Sequence, residues 1–88
     1  MTREVFSRDA IARAVDDALH QVAPESDPAA LPPDQPIRDA LDIDSFDFLR
    51  FVVGLHERLG VDVPESDYAS LATHASAVDY LARRLGTS

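Results

Sequence analysis

Five of the chain's six prolines fall between Pro24 and Pro36, at Pro24, Pro28, Pro32, Pro33 and Pro36. Proline has no amide to donate and its ring clashes with the carbonyl one turn back, so no continuous helix can cross this stretch. The fold must therefore be assembled from a helix before the prolines and further helices after them. The segment from Pro24 to about Ala40 reads as a long ordered loop. Loops of that length in compact domains usually have a reason, and Leu31, Ile37 and Leu41 are apolar anchors able to pin this one to a core.

On the N-terminal side, Ile11, Val15, Leu19 and Val22 recur at helical spacing, with Arg8, Arg13, Asp16 and Asp17 on the opposite side. Either Thr2 or Ser7 is a suitable N-cap. On the C-terminal side a second helix runs from about Ser45 to Leu59. Asp44 is its N-cap, Asp47 stands in the position of a capping-box acid, and Gly60 closes it. Phe48, Val52, Leu55 and Leu59 make one buried stripe. Phe46, Leu49 and Val53 form a second, offset apolar row that a helix buried on one side leaves partly in solvent. Val61, Val63 and Pro64 read as an extended connector, after which Ser66 is expected to cap a short helix ending at Leu71. Thr73 caps a last helix, with Ala77, Val78 and Leu81 facing inward and Arg83 and Arg84 near its negative end. No strand pattern and no internal repeat is visible. The expected fold is all-α: a four-helix bundle, three helices longer and one short, with the long loop between the first and second.

At 88 residues the chain is one small domain, residues 1–88, too short to enclose a deep catalytic pocket and still bury a sizeable core. Its formal charge of −8, from sixteen acids against eight basic residues, all arginine, argues against nucleic acid and against anionic membrane surfaces. Basic protein surfaces are its natural partners. Without cysteine there is no disulfide framework, thiolate metal site or cysteine nucleophile. The charged N-terminus lacks an apolar run of signal-peptide length and no stretch is long enough to span a bilayer, so a cytoplasmic location is expected.

The stretch Leu41, Asp42, Ile43, Asp44, Ser45, Phe46, Asp47, Phe48, Leu49 holds the chemistry. A serine where loop becomes helix has an exposed hydroxyl, and a phosphodiester built on it would lie against the open amides of the helix N-terminus. That placement favours an anion by roughly 0.3–1 kcal/mol, partly offset here by the flanking acids. Other constellations fail on spacing. Asp42, Asp44 and Asp47 would put Phe46 at a calcium ligand position and lack the required glycine. His56 and Glu57 begin a zinc-protease pair whose second histidine is replaced by Gly60. His20, His56 and His74 fall on different expected helices. Ser45 lacks both glycines of a nucleophile elbow. No catalytic or metal-ligating residue is therefore assigned.

At Asp44, Ser45, Phe46 the sequence resembles the acyl carrier protein family, which is marked by Asp-Ser-Leu at the head of the second helix. The resemblance extends through Leu59, Gly60, Val61, Asp62, Val63, Pro64, similar to the family's connector, and through Leu71, Ala72, Thr73 and Val78, Asp79, Tyr80, Leu81, similar to its closing segment. It implies that Ser45, preceded by Asp44, receives 4′-phosphopantetheine from coenzyme A by a magnesium-dependent phosphopantetheinyl transferase. The arm's thiol then holds acyl groups as thioesters for acyl-transferring and chain-elongating or chain-modifying enzymes of fatty-acid, polyketide or related specialised pathways. The resemblance further implies a monomeric carrier that serves as a cosubstrate, not an enzyme. Related carriers fold the growing acyl chain back between their helices. Phe46, Leu49 and Val53 resemble the family's exposed docking patch, with Asp47, Arg50 and Glu57 as further partner contacts.

Three departures stand out, the first being Phe46 in place of the usual leucine. Asp42 occupies a position where the family usually has glycine, and glycine enters a left-handed turn more readily than Asp. Carriers of bulk fatty-acid synthesis display a run of acids on the second helix, whereas Arg50, His56 and Arg58 accompany Glu57 here, which points to a dedicated pathway. An aminoacyl or peptidyl carrier, an unmodified carrier-like interaction domain and a small hydrolase are the alternatives. Absence of mass gain with transferase and coenzyme A would mark the unmodified domain, and turnover by the unmodified protein the hydrolase.

Overall fold

The computed structural model describes residues 6–86, the side chain of Ala29 excepted. The first helix, α1, spans Arg8–Val22. Ser7 caps it, its hydroxyl accepting a hydrogen bond of 3.1 Å from the Ala10 amide. Thr2, the other candidate cap, lies outside the described residues. Ile11, Val15 and Leu19 are fully buried, as their spacing predicts.

The proline-rich stretch is more structured than the loop expected there. It contains a 3₁₀ turn at Pro28–Ala30 and a one-turn helix, α2, at Ile37–Leu41. Five residues are too few to display helical periodicity. Their conformation is set instead by Pro36, at φ −57°, and by the tertiary anchoring of Ile37. Ile37 is fully buried and its amide donates to the Ala72 carbonyl at 2.8 Å. Pro36 also forms an isolated bridge with Thr73, and the Ala75 amide donates to the Pro33 carbonyl at 2.9 Å. The end of the loop is thus fastened to the start of the last helix. Leu31 and Leu41 pack half-buried against the core.

The next helix, α3, spans Ser45–Leu59, and Gly60 ends it at φ +69° with its amide donating to the His56 carbonyl. Phe48, Val52, Leu55 and Leu59 are buried. Phe51, which belongs to neither of the rows identified in the sequence, is also fully buried and is the largest such side chain. Its ring centroid is 5.7 Å from that of Phe48, in a tilted pair. Against α1 the approach is close at Gly54, where an added Cβ would sit 3.3 Å from the Ala18 Cβ.

A 3₁₀ helix then runs over Glu65–Leu71. Ser66 does not cap it: Pro64 takes the cap position, no side chain bonds there, and Ser66 lies inside the segment. The tight i→i+3 pattern begins with the Asp67 amide donating to the Pro64 carbonyl at 2.9 Å. The last helix, α4, spans His74–Arg84 and opens with a full capping box between Thr73 and Ser76. Ala77, Val78 and Leu81 are buried, and α4 packs on α1 as well as on the 3₁₀ helix. Tyr80 adds a polar clasp, its hydroxyl donating to Asp67 Oδ2 at 2.6 Å and accepting from Arg84 Nη1 at 2.6 Å. Arg84 also donates to the Asp62 carbonyl at 2.9 Å, so one arginine ties the connector, the 3₁₀ helix and α4 together. The three long helices and the short segment at 65–71 form the all-α bundle the sequence predicts, with α2 added. No strand occurs among the described residues.

Candidate functional site

Ser45 is the first residue of α3 and is exposed. Asp44 adopts extended backbone, and its Oδ1 accepts from the Asp47 amide at 2.8 Å while its carbonyl accepts from the Phe48 amide at 2.9 Å. Only half of a capping box forms: Asp47 does not bond back to the Asp44 amide, and its carboxylate lies 3.8 Å from Arg50. Of the amides a helix start leaves without an intrahelical acceptor, those of Ser45 and Phe46 have no protein partner among the described residues. A phosphate ester on Ser45 would stand beside them.

The turn leading to Ser45 is equally defined. Asp42 sits at φ +54°, ψ +47°, the left-handed region, and is the only non-glycine with positive φ among the described residues. The departure from glycine thus preserves a left-handed residue at this point. The Asp42 amide donates to the Arg38 carbonyl, as does the Ile43 amide at 3.1 Å, and Ile43 is buried. Behind Ser45 is a hydrogen-bonded turn, ahead of it a capped helix, and its hydroxyl faces solvent.

Two clefts flank this serine. One, of about 410 Å³, is lined by Ser45 itself together with Arg38, Phe48, Leu49, Tyr68 and Ala69. Its wall is an edge-on aromatic pair, Phe48 and Tyr68, with centroids 5.8 Å apart. The other, of about 280 Å³, lies between α1 and α3 and is lined by Phe46, Leu49, Arg50, Val53 and Glu57 with Gln21. Phe46, Leu49 and Val53 are 70%, 45% and 55% exposed, the large apolar side chains left in solvent among the described residues. Every residue of α3 singled out in the sequence as a partner contact other than Asp47 therefore shares one groove, with Asp47 beside it on Arg50. Arg38 and Tyr68 were not legible as site residues, since neither lies in a motif and both reach Ser45 only through folding.

The other cations of α3 have partners. Arg58 donates to Gln21 Oε1 at 3.1 Å and to the Gly54 carbonyl at 3.3 Å. His56 Nδ1 is 3.0 Å from Asp62 Oδ1. His74 Nε2 is 2.8 Å from Asp16 Oδ1, joining α4 to α1, while His20 is exposed on α1. The three histidines thus occupy separate places.

An exposed hydroxyl on a capped helix start, two open amides and an apolar cleft beginning at the same serine fit a phosphate-linked arm bearing an acyl cargo. This is the build of a phosphopantetheine-attachment domain, and the family model described as "Phosphopantetheine attachment site" matches residues 9–81. An acyl carrier protein of Acidothermus cellulolyticus is 33% identical over 79 residues, covering 88% of this chain and 90% of that one. Acyl carrier proteins of Renibacterium salmoninarum and Myxococcus xanthus are 38% and 34% identical over 55 residues each, 62% of this chain and 68% and 70% of theirs. The chain belongs to the acyl carrier protein family. It is a carrier rather than an enzyme, and its prosthetic group is a covalently bound phosphopantetheine, whose thiol supplies the thioester chemistry. Proteins of this kind work with enzymes of acyl metabolism. No helix among the described residues is long and apolar enough to cross a membrane.

Proposed function

We propose that Ser45 is the attachment residue and that the chain, as a single monomeric carrier domain in the cytoplasm, presents acyl thioesters to partner enzymes. The observation that supports this most directly is the exposed Ser45 hydroxyl at the capped start of α3, with two unpartnered amides beside it. A phosphopantetheinyl transferase transfers the arm from coenzyme A: the Ser45 oxygen attacks the phosphorus that bears pantetheine, the bridging P–O bond of the pyrophosphate breaks, a phosphodiester forms, adenosine 3′,5′-bisphosphate leaves, and the serine proton passes to a base or solvent. Asp44 holds the helix start through its bond to the Asp47 amide and is a negative feature beside the serine for the transferase to recognise.

Partner enzymes dock on Phe46, Leu49 and Val53, whose exposure marks an interaction surface. Asp47, Arg50 and Glu57 supply its charged rim. Formal charge on α3 cancels, two acids (Asp47, Glu57) against two arginines (Arg50, Arg58). A neutral helix docks weakly on strongly basic enzyme surfaces, which favours a specialised pathway over bulk fatty-acid synthesis.

Incubation of the unmodified protein with a phosphopantetheinyl transferase, magnesium and coenzyme A tests the attachment. Intact-mass analysis should show one phosphopantetheinyl addition to the wild type and none to Ser45→Ala, with both folded by circular dichroism. Loading of Ser45→Ala, or failure of several transferases to load the wild type, refutes the assignment. Efficient elongation on this carrier by general fatty-acid enzymes would refute the specialised role.

A further inference from the structure

The larger of the two clefts begins at Ser45 and has one cation in its lining, Arg38, opposite a single carboxylate, Glu65. Arg38 is exposed, and among the described residues it forms no ion pair and no side-chain hydrogen bond. Arg8, Arg50 and Arg84 pair with Asp79, Asp47 and Asp67; Arg13 and Arg83 are likewise unpaired among the described residues, but of the unpaired arginines Arg38 alone lines the cleft at Ser45. In a chain of formal charge −8, an arginine left unpaired beside the serine calls for an explanation.

Its backbone suggests one. The Arg38 carbonyl accepts from both the Asp42 and Ile43 amides, so the turn that delivers Ser45 is closed on Arg38 itself. The neighbouring Ile37 is fully buried and bonded to the Ala72 carbonyl. The root of the Arg38 side chain is therefore held relative to Ser45, and only its flexible end is free. A phosphodiester esterified to Ser45 is likewise fixed to within a bond of the serine oxygen.

We propose that Arg38 pairs with the phosphodiester of the arm on Ser45 and thereby turns the arm into the cleft walled by Phe48, Tyr68 and Ala69, away from Phe46 and Val53, the docking residues that do not line it. The role rests on Ser45 being the attachment residue. It is a positioning role: a guanidinium contacts a phosphate strongly through charge-assisted hydrogen bonds, and the wall beyond is apolar enough to shelter an acyl chain. The pair also offsets the repulsion that Asp44 and Asp47 exert on a phosphate at this point.

The test compares apo and holo protein, loaded as above, for the wild type, Arg38→Gln and Arg38→Lys. Intact mass with Ser45→Ala as control first establishes loading at Ser45. In the wild type, loading should shift the Arg38 Nε–H resonance, the phosphorus resonance should differ from that of the Arg38→Gln holo protein, and the Tyr68 and Ala69 amides should move. In Arg38→Gln the shifts at Tyr68 and Ala69 should shrink several-fold, with partial recovery in Arg38→Lys. Raising salt from about 0.1 M to about 1 M shortens the screening length from ~10 Å to ~3 Å and should diminish the wild-type shifts likewise. If Ser45 is loaded but Arg38 and the cleft amides do not respond in the wild type, or the Tyr68 and Ala69 amides respond equally in Arg38→Gln, the pairing is overturned while the attachment assignment stands. Failure of Ser45 to load overturns both.

Discussion

Asp42 offers a quantitative probe of the turn before Ser45. It stands at φ +54°, ψ +47°, where an L-residue is disfavoured by about 1–2 kcal/mol because Cβ crowds the following carbonyl. Asp is at the tolerant end of that range and glycine escapes it. The clean comparison is therefore Asp42→Gly against Asp42→Ala. Both remove the same exposed carboxylate and keep the amide that donates to Arg38, so those contributions cancel. Alanine retains the left-handed strain, and its smaller unfolded-state entropy returns about 0.4–1 kcal/mol. The net difference is about 1 kcal/mol in favour of glycine. For a domain of this size that corresponds to roughly 4–8 °C in Tm. Thermal and urea unfolding of the two variants under one buffer condition read it directly. Coincident unfolding of the pair, or greater stability of Asp42→Ala, would refute a left-handed residue at 42.

Phe51→Ala removes the largest fully buried side chain and its contact with Phe48, and should destabilise by about 3–5 kcal/mol in urea unfolding, a large part of a small domain's total stability. Burial first, and then the hydrogen bond to Asp67, raise the Tyr80 phenol above its ordinary value of 10.0, against a smaller opposing effect of Arg84. The folded state thus disfavours the phenolate: its stabilisation is complete below the unfolded value near 10 and is lost as pH rises through the raised folded value. Unfolding free energies measured across this alkaline range should fall more steeply for the wild type than for Tyr80→Phe, and parallel slopes would contradict the buried, bonded phenol.

Much of the bundle is legible from local chemistry. The bounds of α3 follow from Asp44 before it and Gly60 after it, since a cap acts within one turn and needs no partner from elsewhere in the chain. The Thr73 cap and the exposed row of Phe46, Leu49 and Val53 follow likewise from spacing within one helix. Ser66 shows the limit of that reasoning. A serine near a helix start resembles a cap, but Pro64 already occupies that place and the segment winds as a 3₁₀ helix.

Ser45, its acidic neighbours and its place at a loop-to-helix junction are written in consecutive residues and can be read from the chain alone. What surrounds that serine is a different matter. Helix α2 exists because Ile37 is buried and bonded to Ala72, thirty-five positions later in the chain, and five residues have no periodicity to announce it. The burial of Phe51 and the meeting of Arg38, Phe48 and Tyr68 around Ser45 depend likewise on chain segments far apart. Caps and helical faces act over a single turn, whereas a cleft is made by surfaces that become neighbours only when the core closes, so its lining was decided by the tertiary structure alone.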